Sequence, residues 1–122
     1  RNNTLYNYKR RGDFYFEELK RCKITLNLRG GGWDTLRFWE IPAVGSFMLS
    51  QKLNIIIPND FKDGVNIVTF KNDFTDFFDK IDYYLENDAE REKIAIEGFK
   101  HLCNYHTDII RAKYILKKIK AL

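Results

Sequence analysis

Three consecutive glycines, Gly30-Gly31-Gly32, separate an apolar, partly β-branched segment from a helix-forming one. The segment before them, Lys23 to Leu28, alternates as a strand does. The segment after them opens on Asp34, a good N-cap, and reads as a helix from Thr35 to about Val44. Pro42 lacks a backbone donor and clashes one turn back, so this helix must kink or end there, and Gly45 closes it. A strand, a glycine bend and a helix start, in that order, make a place for an anion. Glycine lets the backbone approach a ligand closely and reach positive φ. The helix start supplies unpaired N–H groups and partial positive charge. Arg29 and Arg37 flank the bend on either side.

The remaining elements follow from the same signals. Asp13 can cap a short helix, Phe14 to Arg21, with Phe16, Leu19 and Tyr15 turned inward. Ser46 to Ser50 reads as a second buried strand and Val65 to Phe70 as a third, after a strong turn signal at Asp63-Gly64. Between them, Leu53 and Ile55 to Ile57 fit a strand or an irregular loop equally, because Pro58-Asn59-Asp60 breaks the run. Three helices finish the chain. The first carries Phe74, Phe77, Phe78, Ile81, Tyr84 and Leu85 at helical spacing. The second, Ala89 to about Tyr105, carries Ile94, Ala95, Gly98, Phe99 and Leu102 on one face. The third is capped by Thr107 or Asp108 and turns Ile109, Ala112, Leu116 and Ile119 inward. Strands separated by crossovers predict an α/β layered fold with a short parallel sheet and a helical C-terminus. Three strands are few, and half of a Rossmann-like domain would look like this.

Composition bounds the function classes. The chain has 122 residues, is 44% hydrophobic and 16% aromatic, and so can bury one real core. Its net charge of +4 is spread among interleaved acids, which permits an anionic ligand without demanding nucleic acid. Lys9-Arg10-Arg11 and the lysines at 113, 117, 118 and 120 read as solvated surface first and as contact patches second. Cys22 and Cys103 read as two buried thiols rather than a disulfide. No apolar run is long enough to span a membrane, no signal peptide opens the chain, and the expected location is cytoplasmic. The chain starts at Arg1, so it is expected to be a piece of a larger protein.

Most catalytic patterns are absent. There is no phosphate-loop signature and no G-x-S-x-G nucleophile elbow. The dinucleotide pattern is half met, since Thr35 stands where its third glycine belongs. His101 and His106 have no metal-ligand spacing, and His106 reads as a structural capping residue. What remains is the stretch from Gly30 to Glu40. Glu40 lies about a turn and a half into a mostly apolar helix, where a carboxylate can accept hydrogen bonds from the two hydroxyls of a ribose. The plainer reading of Glu40 is a surface residue or a partner of Arg37.

The run Gly-Trp-Asp-Thr-Leu-Arg-Phe-Trp-Glu-Ile-Pro-Ala-Val-Gly-Ser-Phe-Met-Leu, residues 32–49, resembles the C-terminal part of group 1 glycosyltransferases. It is most similar to the CgeB-like branch, named for a spore-maturation protein. The likeness continues through Asp63-Gly64, Tyr83 to Asp88, Arg91, Ile94, Gly98 and His106-Thr107 to Arg111, and covers roughly residues 14–120. The resemblance implies a GT-B architecture, two Rossmann-like domains facing across a cleft, with this chain as the second half of the donor-binding domain. It implies that Gly30, Gly31, Gly32, Thr35 and Arg37 meet the donor diphosphate and that Glu40 holds the donor ribose. Many relatives carry a second glutamate eight positions before the ribose glutamate; here that position is Gly32, so the paired-glutamate device is missing.

The expected function is therefore the nucleotide-sugar-binding portion of a glycosyltransferase that uses a nucleotide-diphosphate donor, with no metal site, no obligatory metal and no further cofactor. The expected partner is the N-terminal acceptor domain of the same protein, and this piece alone should not catalyse transfer. The alternative is a non-catalytic α/β interaction module that engages a protein or nucleic acid through its basic segments. A retained fold with lost activity is a third reading.

Overall fold

The computed structural model describes residues 12–122. Among the described residues, five helices and three strands follow one another as α1 (Gly12–Arg21), β1 (Thr25–Asn27), α2 (Leu36–Ala43), β2 (Met48–Gln51), β3 (Val68–Phe70), α3 (Phe77–Glu86), α4 (Asp88–Tyr105) and α5 (Asp108–Lys120). The sheet order is β1-β2-β3 and both pairings are parallel, as the crossovers require. Thr25 aligns with Met48, and Leu49 aligns with Val68. The strands are shorter than the alternation suggests, but they lie where it places them.

Successive strand residues point to opposite faces, and the core divides accordingly. One face gathers Leu49, Val68 and Phe70 with Phe47, and Tyr84 of α3 and Ile94 of α4 cover it. The other gathers Met48 with Ile67 and Phe61, covered by Phe38 and Ile41 of α2. Phe38, Leu49, Val68 and Phe70 are all but inaccessible to solvent. Burying side chains of this size stabilises by about 1.5–3 kcal/mol each, which is what holds so short a sheet.

The α2 helix ends as its sequence dictates. Pro42 cannot donate, Val44 N–H bonds Glu40 C=O, and Gly45 reverses the chain at φ 76° into β2. The segment 52–67 is an irregular loop, not a strand: Ile55 and Ile56 are exposed, Asn59 takes a left-handed conformation, and Gly64 turns the chain at φ 77°. The α4 helix crosses close to this loop at Gly98, where a Cβ would lie 2.8 Å from the Asn66 carbonyl oxygen.

Several expectations are corrected. Phe78, Leu85 and Phe99 are exposed, because α3 and α4 each bury a narrower stripe than their apolar spacing allows. No residue of α5 is buried, and Ile109, Leu116 and Ile119 face solvent. This helix turns away after its Thr107 cap, whose hydroxyl accepts from Ile110 N–H, and nothing among the described residues packs over its apolar side. Cys22 and Cys103 are unpaired, as expected, but exposed rather than buried. Cys22 follows the last turn of α1, where its thiol donates to the Glu18 carbonyl, and Cys103 lies on an outer face of α4. The basic run Lys9-Arg10-Arg11 lies outside the described residues.

Candidate functional site

The carboxyl ends of parallel strands, beside a helix N-terminus, are where α/β sheets bind ligands. Here that end is built from polar residues that the core pattern does not need. Asn27, the last residue of β1, aligns with Ser50 of β2, and both are fully buried. Asn27 Nδ2 donates to Ser50 Oγ at 3.0 Å, and Thr35 Oγ1 donates to Asn27 Oδ1 at 2.7 Å. The chain Ser50–Asn27–Thr35 thus ties two strand ends to the residue that precedes α2. It fixes where the helix N-terminus and the glycine bend stand relative to the sheet.

Thr35, not Asp34, is the N-cap residue of α2; its hydroxyl makes no cap bond and donates to Asn27 Oδ1 instead. Asp34 instead accepts a long bond from Trp39 Nε1 at 3.4 Å. None of the three glycines takes positive φ. At Gly30 the space is tight instead: a Cβ there would lie 3.2 Å from the Thr35 methyl group, which would have to give by a few tenths of an ångström. Beside Gly31 and Gly32 the space is open.

Next to this bend lies a cleft of about 670 Å³, within the range of small-molecule sites. Glu40 and Arg37 of α2 line it together with Thr35, Gly30 and Arg29, and α1 closes it with Tyr15 and Phe16. Arg37 and Glu40 share a face of α2, three residues apart, while Phe38 and Ile41 go to the core. The Arg29 guanidinium lies over the Trp33 ring at 4.4 Å, and its backbone N–H donates to Gln51 Oε1. Among the described residues no ion pair joins Glu40 to Arg37. The half-buried Glu40 carboxylate takes its hydrogen bond from Tyr15, whose hydroxyl lies 2.7 Å from Oε2. Desolvation by burial raises the Tyr15 pKa above 10, the Glu40 bond and charge add to that, and Arg37 opposes it. The hydroxyl therefore stays protonated and donating at neutral pH.

Of the residues singled out in the sequence, Gly30, Thr35, Arg37 and Glu40 line one cleft, and Gly31 and Gly32 are not among its lining residues. The side chain of Thr35 is committed to the fold, so it offers a ligand its position at the helix start rather than a free hydroxyl. Tyr15 was legible only as an inward-facing helix residue, and nothing local links it to a carboxylate 25 positions later.

A second groove of about 530 Å³ runs between α5 and the loop at Ile55–Asn59. It is more apolar, and several of its polar groups are engaged within the fold: Arg111 lies over the Trp39 ring at 4.1 Å, and His106 Nε2 lies 2.8 Å from the Asn59 carbonyl. His101 reaches the same carbonyl at 2.7 Å, so both histidines serve the loop. Among the described residues no group of three His, Cys, Asp or Glu side chains is placed to hold a metal, and no helix is long and apolar enough to cross a membrane.

A family model described as glycosyl transferase-like matches residues 2–117 of the chain. No curated protein matches it.

Proposed function

The chain belongs to the glycosyl transferase-like family, and from that premise we propose that it is the nucleotide-sugar-binding part of a glycosyltransferase of the CgeB-like, GT-B kind. The observation that carries the reading is the position of Glu40: a half-buried carboxylate in one cleft with Arg29 and Arg37, beside the start of α2. A nucleoside diphosphate presents two features to such a cleft. Its vicinal ribose hydroxyls donate to a carboxylate, and its diphosphate carries charge that the helix N–H groups and the two guanidinium groups neutralise.

In sugar transfer the nucleoside diphosphate is the leaving group, and negative charge builds on its bridging oxygen as the bond to the sugar breaks. Fixed N–H dipoles and cations aimed at that oxygen lower the barrier by stabilising the developing charge. Arg37, in the first turn of α2, is the cation best placed for this, and Arg29 follows it. Thr35 contributes indirectly by holding the helix start against Asn27. Gly32, where relatives carry a second glutamate, offers the transferred sugar no carboxylate. In this reading the acceptor and any catalytic base come from another domain of the protein, and the charge on the diphosphate requires no metal.

Calorimetric titration with UDP, GDP and their sugar conjugates tests the assignment. A hydrogen-bonded charged group contributes about 1.5–3 kcal/mol, so Glu40→Ala should weaken binding by roughly 10- to 100-fold. Binding that is unchanged in Glu40→Ala refutes the site.

A further inference from the structure

The Tyr15–Glu40 hydrogen bond joins α1 to α2 across the cleft, where Arg37 also lies close to Tyr15, and the core does not require it. The α1 helix is held independently, by buried Leu19 and by Ser46 Oγ, which donates to the Leu19 carbonyl at 2.7 Å in a buried position. Tyr15 is therefore presented from a fixed element. Its ring packs edge-on against Phe16 at 5.2 Å, and its hydroxyl points at Glu40 Oε2 across 2.7 Å. Without that bond the Glu40 side chain would be free to turn among its rotamers, toward Arg37 or toward solvent.

We propose that Tyr15 is a positioning residue: it pins Glu40 Oε2 so that the carboxylate plane faces the cleft and reads both hydroxyls of a ribose, which makes the site selective for ribonucleoside over 2′-deoxyribonucleoside diphosphates. The inference rests on the nucleotide-sugar reading and sharpens its substrate class. A carboxylate oxygen has acceptor capacity for more than one donor, so Oε2 can hold the Tyr15 proton and still take one ribose hydroxyl while Oε1 takes the other. A carboxylate free to rotate satisfies a single hydroxyl from many orientations, but it satisfies two neighbouring hydroxyls from few. Fixing its plane therefore strengthens recognition of the diol and leaves a lone 3′-hydroxyl little affected. The hydroxyl can do this throughout the neutral range, since burial and the neighbouring Glu40 charge keep it protonated.

The test titrates wild type, Tyr15→Phe and Glu40→Ala with UDP, 2′-deoxy-UDP, GDP and 2′-deoxy-GDP, with thermal unfolding of each variant alongside. Wild type is expected to prefer the ribonucleotide about tenfold, the worth of one charge-assisted hydrogen bond. Tyr15→Phe keeps the ring and its packing; it is expected to lose most of that preference by weakening the ribonucleotides while leaving the 2′-deoxy forms unchanged. Equal weakening of both forms in Tyr15→Phe indicates a merely structural role and overturns the inference. So does a wild type that binds both forms equally, a result that needs no variant. If Glu40→Ala weakens binding but Tyr15→Phe keeps the full preference, the Tyr15 assignment fails and the site stands. If Glu40→Ala changes nothing, the site itself is wrong and this inference falls with it.

Discussion

Truncating Asn27 to alanine tests whether the site is anchored where the structure says. Asn27 is fully buried and makes two side-chain hydrogen bonds, to Ser50 Oγ at 3.0 Å and from Thr35 Oγ1 at 2.7 Å. Each neutral hydrogen bond contributes about 1 kcal/mol net. The partners are affected unequally. Thr35 is only half-buried and can turn its hydroxyl to water, whereas Ser50 is inaccessible and keeps only its bond to the Gln51 carbonyl at 2.9 Å. The vacated amide leaves a small cavity as well, so the expected loss is about 2–4 kcal/mol, a substantial share of the ~5–15 kcal/mol typical of a domain. Urea unfolding followed by circular dichroism reads it directly, as a lower midpoint with an unchanged slope. A cycle with Thr35→Ala should show a coupling of about 0.5–1.5 kcal/mol, because the two side chains share one bond. A loss below about 1 kcal/mol, or purely additive effects, refutes the argument that this polar chain locks the helix start to the sheet.

Three further outcomes follow from other contacts. Gly98→Ala should destabilise by about 1–2 kcal/mol despite the ~1 kcal/mol that alanine gains in a helix, because its Cβ would sit 2.8 Å from a backbone carbonyl that cannot move aside cheaply; a rise in the urea midpoint would contradict this. Thr25→Val should stabilise by about 1 kcal/mol, since Thr25 Oγ1 is buried with no hydrogen-bond partner among the described residues and the methyl group fits the same volume; thermal unfolding at matched pH decides it. Burial, first among the causes, holds the His106 ring below the usual 6.5, with the charges of Arg111 and His101 adding to this and the bond to Asn59 opposing it. The unfolded chain then binds more protons than the folded one just below 6.5, so stability is full above that pH and is lost as pH falls toward the lower folded value. Between about pH 7.5 and pH 5.5 wild type should lose more stability than His106→Gln, which keeps an N–H donor but cannot titrate, and equal losses would remove His106 from the account.

Local signals placed the elements and part of the candidate cleft. Pro42 and Gly45 ended α2, Asp63-Gly64 made the turn before β3, and Thr107 capped α5, because each acts within one or two turns of backbone and needs no distant partner. Thr35, Arg37 and Glu40 were legible as a group for the same reason, since helical spacing alone puts Arg37 and Glu40 on one face. Corrections fell where distant segments compete for a side chain. Thr35 rather than Asp34 stands at the cap of α2, its hydroxyl bonded to the distant Asn27, while Asp34 turns to Trp39. The exposure of Cys103 depended on which face of α4 found cover, and that of Cys22 on the chain after α1 finding none among the described residues.

By itself, the sequence determined an α/β layered chain with a parallel sheet and placed Glu40 and Arg37 beside a glycine bend, because hydrophobic period, caps and turns are encoded residue by residue. Only the tertiary structure decided what surrounds that carboxylate. Tyr15 meets Glu40 from a helix 25 residues away, Asn27 and Ser50 lock the helix start, and among the described residues nothing covers the apolar side of α5. These are outcomes of packing, which brings together groups that carry no sequence relation to one another, and the chemistry of the cleft depends on them.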